Sequence, residues 1–300
     1  MSADPRPFLE RVASLPRLGL GVSTENGGAG APGNLDLDAL VAERPEAAGF
    51  LEVGLELARG IDGPTRRWVQ AGRPTTLHFL DVNLDEPEDL DPAWLAALAE
   101  AAEHLGAAWL CGDAGLWHFG AREPGQMLLL PPILEPAQLP GLAAGLRRLR
   151  AATGREVLPE NPPGTFYIGE MGLLPFYGAL AEEADTGLLL DVAHLAMYQA
   201  LRGLPATAGL DTLPAERVVE LHVAGGAERK HGGFAWIEDT HGVEPLPATW
   251  EILEALLPRA TNLRAVVLEG ERNPLPTLGP TLDRLHGLLR ERAPWVFPDA

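Results

Sequence analysis

One cysteine, Cys111, stands in a chain of 300 residues. It has no partner within the chain, which excludes an internal disulfide framework, a cysteine-rich zinc site and a cysteine-ligated iron–sulfur cluster. Any metal must therefore be held by His, Asp and Glu. Long apolar runs are also missing: no segment approaches the ~20 residues needed to cross a bilayer. The N-terminal sequence MSADPRPFLERV is charged and lacks the apolar region of a secretory signal, so a cytoplasmic protein without membrane contact is expected. Positive charge is scarce, with 23 basic residues against 42 acidic ones and a net charge of −19. A broad phosphate-binding surface is excluded on electrostatic grounds, and with it a nucleic-acid partner.

What is present suits a folded α/β protein. Hydrophobic residues make up 46% of the chain and mean hydropathy is close to zero, enough to bury a large core. With 28 prolines and 34 glycines the connections should be many and short, and no linker divides the chain. A single domain over residues 1–300, with its core at about 18–292, is expected. The acidic run 82–94 (VNLDEPEDLDPAW) reads as a solvated face ahead of a helix.

Apolar runs suited to strands occur at 18–23, 50–55, 74–80, 108–111, 156–160, 188–191, 218–223 and 265–269. Helices are expected at 64–71, 91–105, 136–153, 171–184, 193–204, 249–257 and 277–292. The helix at 91–105 is the clearest, with Asp91 as N-cap, Pro92 at the first helical position and apolar residues at three-to-four spacing. Eight strands alternating with helices over this length fit a (β/α)8 TIM barrel. The segments 113–132 and 225–247 read as long loops over the strand ends. The glycine-rich stretch 27–34 (GGAGAPGN) matches neither a dinucleotide fingerprint nor a Walker loop and reads as a flexible loop.

The strand ends carry the chemistry. In 187–194 (GLLLDVAH) an apolar run ends in Asp191, with His194 three residues later; LPENPP, VVELHVAGG and AVVLEGE repeat the design with Glu160, His222 and Glu269. A parallel barrel gathers such positions at one rim, together with His78, Asp113, Asp239 and His241. Imidazoles mixed with carboxylates suit divalent iron, manganese or zinc, and the surplus of carboxylates favours more than one ion with bridging. Alone, Asp191 or Asp239 is as well explained as a helix cap or turn former, and Glu269 as a partner of Arg272. Recurrence at five strand ends favours the metal reading. His104 and His286 read as surface or packing residues, while His118 and His231, in rim loops, are candidates for substrate contact.

The pieces FLEVGLE, TLHFLDVNL, MLLLPPILEPAQL, LPENPP followed by Glu170, TGLLLDVAHL, VVELHVAGG, IEDTHGVEP with Trp250, and VVLEGE occur in this order from about residue 18 to 273. In these the chain resembles the multinuclear non-haem iron-dependent oxidative enzymes typified by the methanobactin-biosynthesis oxidase. The resemblance implies a xylose-isomerase-like TIM barrel holding two or three irons, Fe(II) or Fe(III), at His78, Glu160, Asp191, His222, Asp239, His241 and Glu269, with Asn161 beside them. It further implies dioxygen as co-substrate, a ribosomally made precursor peptide, often modified at cysteine, as substrate, and a small partner protein that presents the peptide.

Two departures stand out. Where the family has Ser-Glu-His at the end of strand four, this chain has Cys111, Gly112 and Asp113; where it has DVNN after strand six, this chain has DVAH. His194 therefore joins the expected metal ligands, as a ligand moved from strand four to strand six, and catalytic roles fall on Asp191, His194 and Asp113. Competing expectations are a divalent-metal isomerase or hydrolase of xylose-isomerase-like fold, suggested by Asp191-x-x-His194, and a non-catalytic metal-binding barrel.

Overall fold

A computed structural model describes residues 4–25 and 33–298. Of the stretch 27–34, all but Gly33 and Asn34 lie outside the described residues. In chain order the elements are α1 (Phe8–Arg11), β1 (Gly19–Glu25), α2 (Leu37–Glu43), β2 (Leu51–Leu55), α3 (Gly63–Gln70), β3 (Thr75–Phe79), α4 (Pro92–Leu105), β4 (Ala107–Asp113) and α5 (Leu139–Thr153). There follow β5 (Val157–Glu160), α6 (Leu173–Ala184), β6 (Leu188–Asp191), α7 (Val192–Arg202), β7 (Val218–His231), β8 (Phe234–Gly242), α8 (Pro247–Leu256), β9 (Ala265–Glu269) and α9 (Leu275–Arg292).

Strands β1 to β7 and β9 pair in parallel around a closed ring, β9 lying between β1 and β7, and the β6–β7 pairing completing the circuit. This is the (β/α)8 TIM barrel expected from the alternation. Strands of such a barrel are covered on both faces, which is why they read as nearly continuous apolar runs; β2, β3 and β9 are buried at every position. The helices lie outside, held at their starts by side chains such as Asp36, Asp62 and Asp91, each accepting backbone N–H groups of its helix.

The barrel interior is layered. At the N-terminal end of the strands Phe50, Trp109, Leu158, Leu189, Val219, Ala265 and Val267 form an apolar cluster, closed from below by Phe8 and Val12. Arg11 ties that plug to the barrel through Glu156 at 2.6 Å and Asp185 at 2.8 Å. Above this cluster the inward-facing residues become polar, so the chemistry is confined to the C-terminal end.

Two expectations are corrected. The segment 225–247 is not a loop: β7 continues beyond the barrel and turns at Gly232 and Gly233, with φ of 56° and 83°, into the antiparallel strand β8. The extension of β7 passes from small residues (Gly225, Gly226, Ala227) to polar ones (Glu228 to His231), so no apolar run marked it. The acidic run 82–94 is only partly a solvated face. Asn83 and Asp89 are buried, and Asp89 lies 2.9 Å from His118 Nε2 and 3.5 Å from Arg122.

Candidate functional site

Register sets the site. Asp113 lies opposite Glu160 on neighbouring strands, Asp191 opposite His222, and Glu269 opposite Ala224, so consecutive strand ends deliver one polar side chain each toward the barrel axis. The hairpin then folds Asp239 and His241 of β8 back over the same opening. His241 is held at φ 46°, a left-handed conformation that costs a non-glycine residue energy and that concentrates at functional sites. The resulting cavity, about 160 Å³, is lined by His78, Asp113, Glu160, His194, Asp239, His241 and Glu269. Asp191 and His222 are buried directly beneath it, with 0% exposure each.

Glu160 is the hub. One carboxylate oxygen, Oε2, is 2.7 Å from His78 Nε2; the other, Oε1, is 3.1 Å from His222 Nδ1 and 4.0 Å from His194 Nδ1. His222 Nδ1 also lies 3.2 Å from Glu269 Oε1. Asp239 Oδ2 sits between two imidazoles, 3.3 Å from His194 Nε2 and 3.2 Å from His241 Nε2. Asp191 does two things: Oδ1 accepts the His194 N–H at 2.7 Å and caps α7, while Oδ2 lies 3.5 Å from His194 Nε2. Asp191 is thus the helix cap expected as one alternative, and its second oxygen faces an imidazole of the cluster. Asn161 braces this corner, accepting the Asp191 N–H at 3.0 Å, donating to the Asp191 carbonyl at 2.9 Å, and offering its own carbonyl to His194 Nδ1 at 2.9 Å.

Burial and charge act against each other throughout. Burial alone would depress the His78 imidazolium, but the Glu160, Glu52 and Asp113 carboxylates hold it at about 9. His194, His222 and His241 are raised by their carboxylate neighbours against the same penalty. Burial would raise Glu160 and Asp239, yet the facing imidazoles hold both far below the ordinary range. For Asp113 the balance is reversed: burial and the Glu160 charge outweigh the His78 and His194 imidazoles and push it up to about 8. Asp191 is likewise raised by burial, helped by Glu269 and Glu160.

Several expected residues lie elsewhere. His118 is buried outside the cavity, between Asp89 and the Gly120 carbonyl at 2.9 Å, and braces the β4–α5 loop. His231 is exposed at the hairpin tip, away from the cavity. Arg272 pairs with Glu25 and lies 3.5 Å from Glu271, rather than serving Glu269. The β4–α5 loop does cover the strand ends as expected, placing Trp117, Met127 and Leu129 on the cavity wall.

Other residues were missed. Glu52 lies within 3.0 Å of His222 Nε2 and accepts the Cys111 thiol at 3.1 Å. A lone carboxylate inside the buried strand LEVGL was the available signal, because such a group requires a polar partner. Glu56, just beyond the same strand, pairs with Arg59 at 2.9 Å and does not line the cavity. Glu271, 2.8 Å from His241 Nδ1, orients that ring, and Glu220 accepts Trp109 Nε1–H at 2.6 Å below the site.

The departures from the family pattern also resolve. Cys111 and Asp113 point into the barrel, and Gly112 points out: a Cβ there would meet the Phe79 ring at 2.4 Å. The glutamate missing at this position therefore removes nothing from the cavity. Asp113 and His194 both reach it, from β4 and α7 respectively.

A model for RiPP precursor modification enzymes, MbnB/TglH/ChrH, matches residues 34–287. A UPF0276 protein of Caulobacter sp. (strain K31) is 31% identical over 261 residues, covering 81% of this chain and 90% of the relative. One from Caulobacter vibrioides is 32% identical over 197 residues, 64% of this chain and 68% of the relative. Among solved structures, a xylose isomerase domain protein from Planctomyces limnophilus aligns with TM-score 0.54 and 17% identity over 93% of this chain and 99% of its own. A xylose isomerase-like TIM barrel protein from Mycobacterium smegmatis, in complex with magnesium, aligns with TM-score 0.56 and 12% identity over 94% and 98%. The structural likeness establishes a shared barrel; the family model, spanning nearly the whole barrel, establishes that this chain belongs to the RiPP precursor modification enzymes MbnB/TglH/ChrH.

Proposed function

We propose that the protein is an iron-dependent, dioxygen-using oxidase that modifies a ribosomally made precursor peptide, often at cysteine, the whole chain acting as one barrel unit. The observation carrying this reading is a buried excess of ligand atoms. Six carboxylates (Glu52, Asp113, Glu160, Asp191, Asp239 and Glu269) face four imidazoles around one cavity. Asp113 Oδ1, Asp191 Oδ2 and Glu269 Oε2 are buried without a hydrogen-bond partner. Buried carboxylate atoms left without a partner are costly unless a cation or a proton satisfies them. Nitrogen and carboxylate donors of this kind suit divalent iron, and the residues fit more than one ion: His78, Asp113 and Glu160 offer atoms within 4.8 Å of one another, as do Glu160, Asp191 and His194.

In this reading His78, Glu160, Asp191, His194, His222, Asp239, His241 and Glu269 would hold two or three irons. Bound iron supplies one-electron chemistry with dioxygen as the oxidant. The protein does the rest. Asn161 fixes the Asp191 backbone and the His194 ring, Glu271 fixes His241, and Glu52 fixes His222, so that each ligand holds one orientation. Trp117, Met127 and Leu129 wall the cavity against water. The chain's acidity favours neutral or basic peptides, and a small partner protein would present the peptide. The catalytic roles in this reading fall on Asp113 and His194, which line the cavity, and on Asp191 beneath them.

The test is anaerobic loading with Fe(II), metal analysis, and oxygen uptake with a cysteine-bearing peptide encoded beside the gene. Two or more irons per chain and peptide-dependent oxygen consumption are expected; less than one iron per chain would sink the reading. His194→Asn separates a ligand from a bystander, since loss of about one iron is expected only if His194 binds metal. The magnesium complex among the structural neighbours, and a 3-keto-D-glucoside 4-epimerase of E. coli aligning at TM-score 0.53, favour a divalent-metal isomerase as the second reading. Tight metal binding with sugar turnover and no oxygen consumption would decide for it.

A further inference from the structure

Among the described residues three other than glycine hold a positive φ: Leu129, Asp185 and His241. Asp185 is the C-cap of α6, where a left-handed residue is ordinary. The other two both line the cavity, and His241 brings a donor atom to it. Leu129, at φ 38°, brings only bulk. A leucine gains nothing from this conformation, which persists only where the surroundings impose it.

The imposing contacts lie on both sides of Leu129. Leu116 and Leu130 form an antiparallel bridge with N–H···O=C bonds of 2.8 and 2.9 Å, and the Leu128 N–H donates to the Trp117 carbonyl at 3.0 Å. Leu129 is thus pinned between two bonded neighbours. Gly115 permits the close approach: a Cβ there would meet the Leu130 carbonyl oxygen at 2.7 Å and Leu129 Cδ1 at 3.2 Å. The Leu129 side chain therefore lies over Gly115, just past the Asp113 that ends β4. The facing segment is braced in turn. Trp117 Nε1–H donates to the Asp113 carbonyl at 3.2 Å, while Asn83, fully buried, accepts the Trp117 N–H at 2.7 Å and donates to the His118 carbonyl at 3.0 Å. A wall held in this way has little freedom to retreat.

The cavity that this wall closes measures about 160 Å³. Bound ions would take part of that volume, and what remains fits one small side chain. We propose that Leu129 is the size-selecting residue of the site, admitting a substrate side chain of cysteine's size and excluding one that is longer or branched. Against a rigid wall each surplus carbon meets overlap, which costs more than a contact merely lost. The inference rests on the peptide-modifying reading and adds which residue limits the substrate and by what property.

The probes are three capped tripeptides, acetyl-alanyl-X-alanine amide, with cysteine, homocysteine or penicillamine at X. All carry one thiol and differ chiefly in bulk. Each is titrated calorimetrically into the anaerobic, iron-loaded full chain. The wild type should bind the cysteine peptide at least about ten-fold more tightly than either of the others. Leu129→Gly accepts the positive φ and removes the side chain, so it should bind all three with near-equal affinity. Leu129→Met keeps the volume and should keep the preference. Iron content should match the wild type in both variants, because Leu129 offers no donor atom.

Equal binding of the three probes by the wild type, a preference that survives in Leu129→Gly, or a preference lost in Leu129→Met would each overturn the inference. So would the absence of cysteine-peptide binding at about 1 mM. Iron loading and oxygen uptake with the encoded peptide are measured separately and do not require a size limit, so failure of the selection and failure of the oxidase reading are distinguishable.

Discussion

Asn161 shows how much of the site depends on residues that need not touch a metal. Its side chain holds both backbone groups of Asp191 and its carbonyl holds His194 Nδ1, so one residue sets two donors. Asn161→Ala should leave a folded protein whose iron affinity is roughly 10- to 100-fold weaker, measured by competition with a chelator. Retention of full affinity would mean that the strand end and the α7 cap orient the donors without it. Gly112 makes a different point. Alanine there must displace the buried Phe79 ring, since its Cβ would come within 2.4–2.8 Å of three ring atoms. The expected cost is about 1–3 kcal/mol in denaturant unfolding, with iron content per folded chain unchanged because the position faces away from the cavity.

At the scale of elements, the barrel strands and the longer helices were the easiest to read, the short helices α1 and α2 went unread, and the hairpin was the hardest. The N-cap of α4 was legible because Asp91-Pro92 is a local signal, and Asp91 accepts the Ala93 N–H at 2.9 Å and the Trp94 N–H at 3.1 Å. Asp91→Ala should lower stability by about 1 kcal/mol in chemical denaturation, with no effect on metal binding because α4 lies on the barrel's outer surface. The extension of β7 and the whole of β8 offered only the Gly232-Gly233 pair as a turn signal. Their pairing is local, across that two-residue turn, but no apolar run marks the strands, and what holds them is the ladder itself together with Ile237 packing on Met197 and Ala193. Asp239 and His241 were singled out by residue type and both line the cavity, while their element was mistaken for a loop. The chemistry of a side chain is visible in the sequence, and a partner strand is not.

For the molecule as a whole, stability and chemistry sit at opposite ends of the barrel. The plug formed by α1 depends on Arg11, and the Asp185 carboxylate beside it responds to pH. Partial burial raises Asp185, but hydrogen bonds from Arg11 and from the Phe8 N–H outweigh it and hold the group below 3.8. A carboxyl depressed in the folded state stabilises above its unfolded value and loses that contribution as pH falls through the folded one. Asp185→Asn should therefore melt below wild type at pH 7, and the gap should close as pH drops below about 4. A constant gap would show that shape and not charge matters there.

The sequence by itself determined the barrel, because eight buried parallel strands must each be written as an apolar run and each must alternate with a helix. It also determined most of the donor set, because a carboxylate or imidazole ending such a run has nowhere else to point than the C-terminal rim. Only the tertiary structure decided which of these groups meet. Glu160 became the hub because β5 sits where the reach of β3, β7 and α7 converges, and Glu52 entered the site because the closed barrel brings His222 of β7, a strand not adjacent to β2, against it. His118, of the same residue type as the donors, was turned away by its contact with Asp89. The physical reason is common to all three: residue type fixes what a group can bind, while distance between strands remote in sequence fixes what it does bind, and that distance exists only once the barrel has closed.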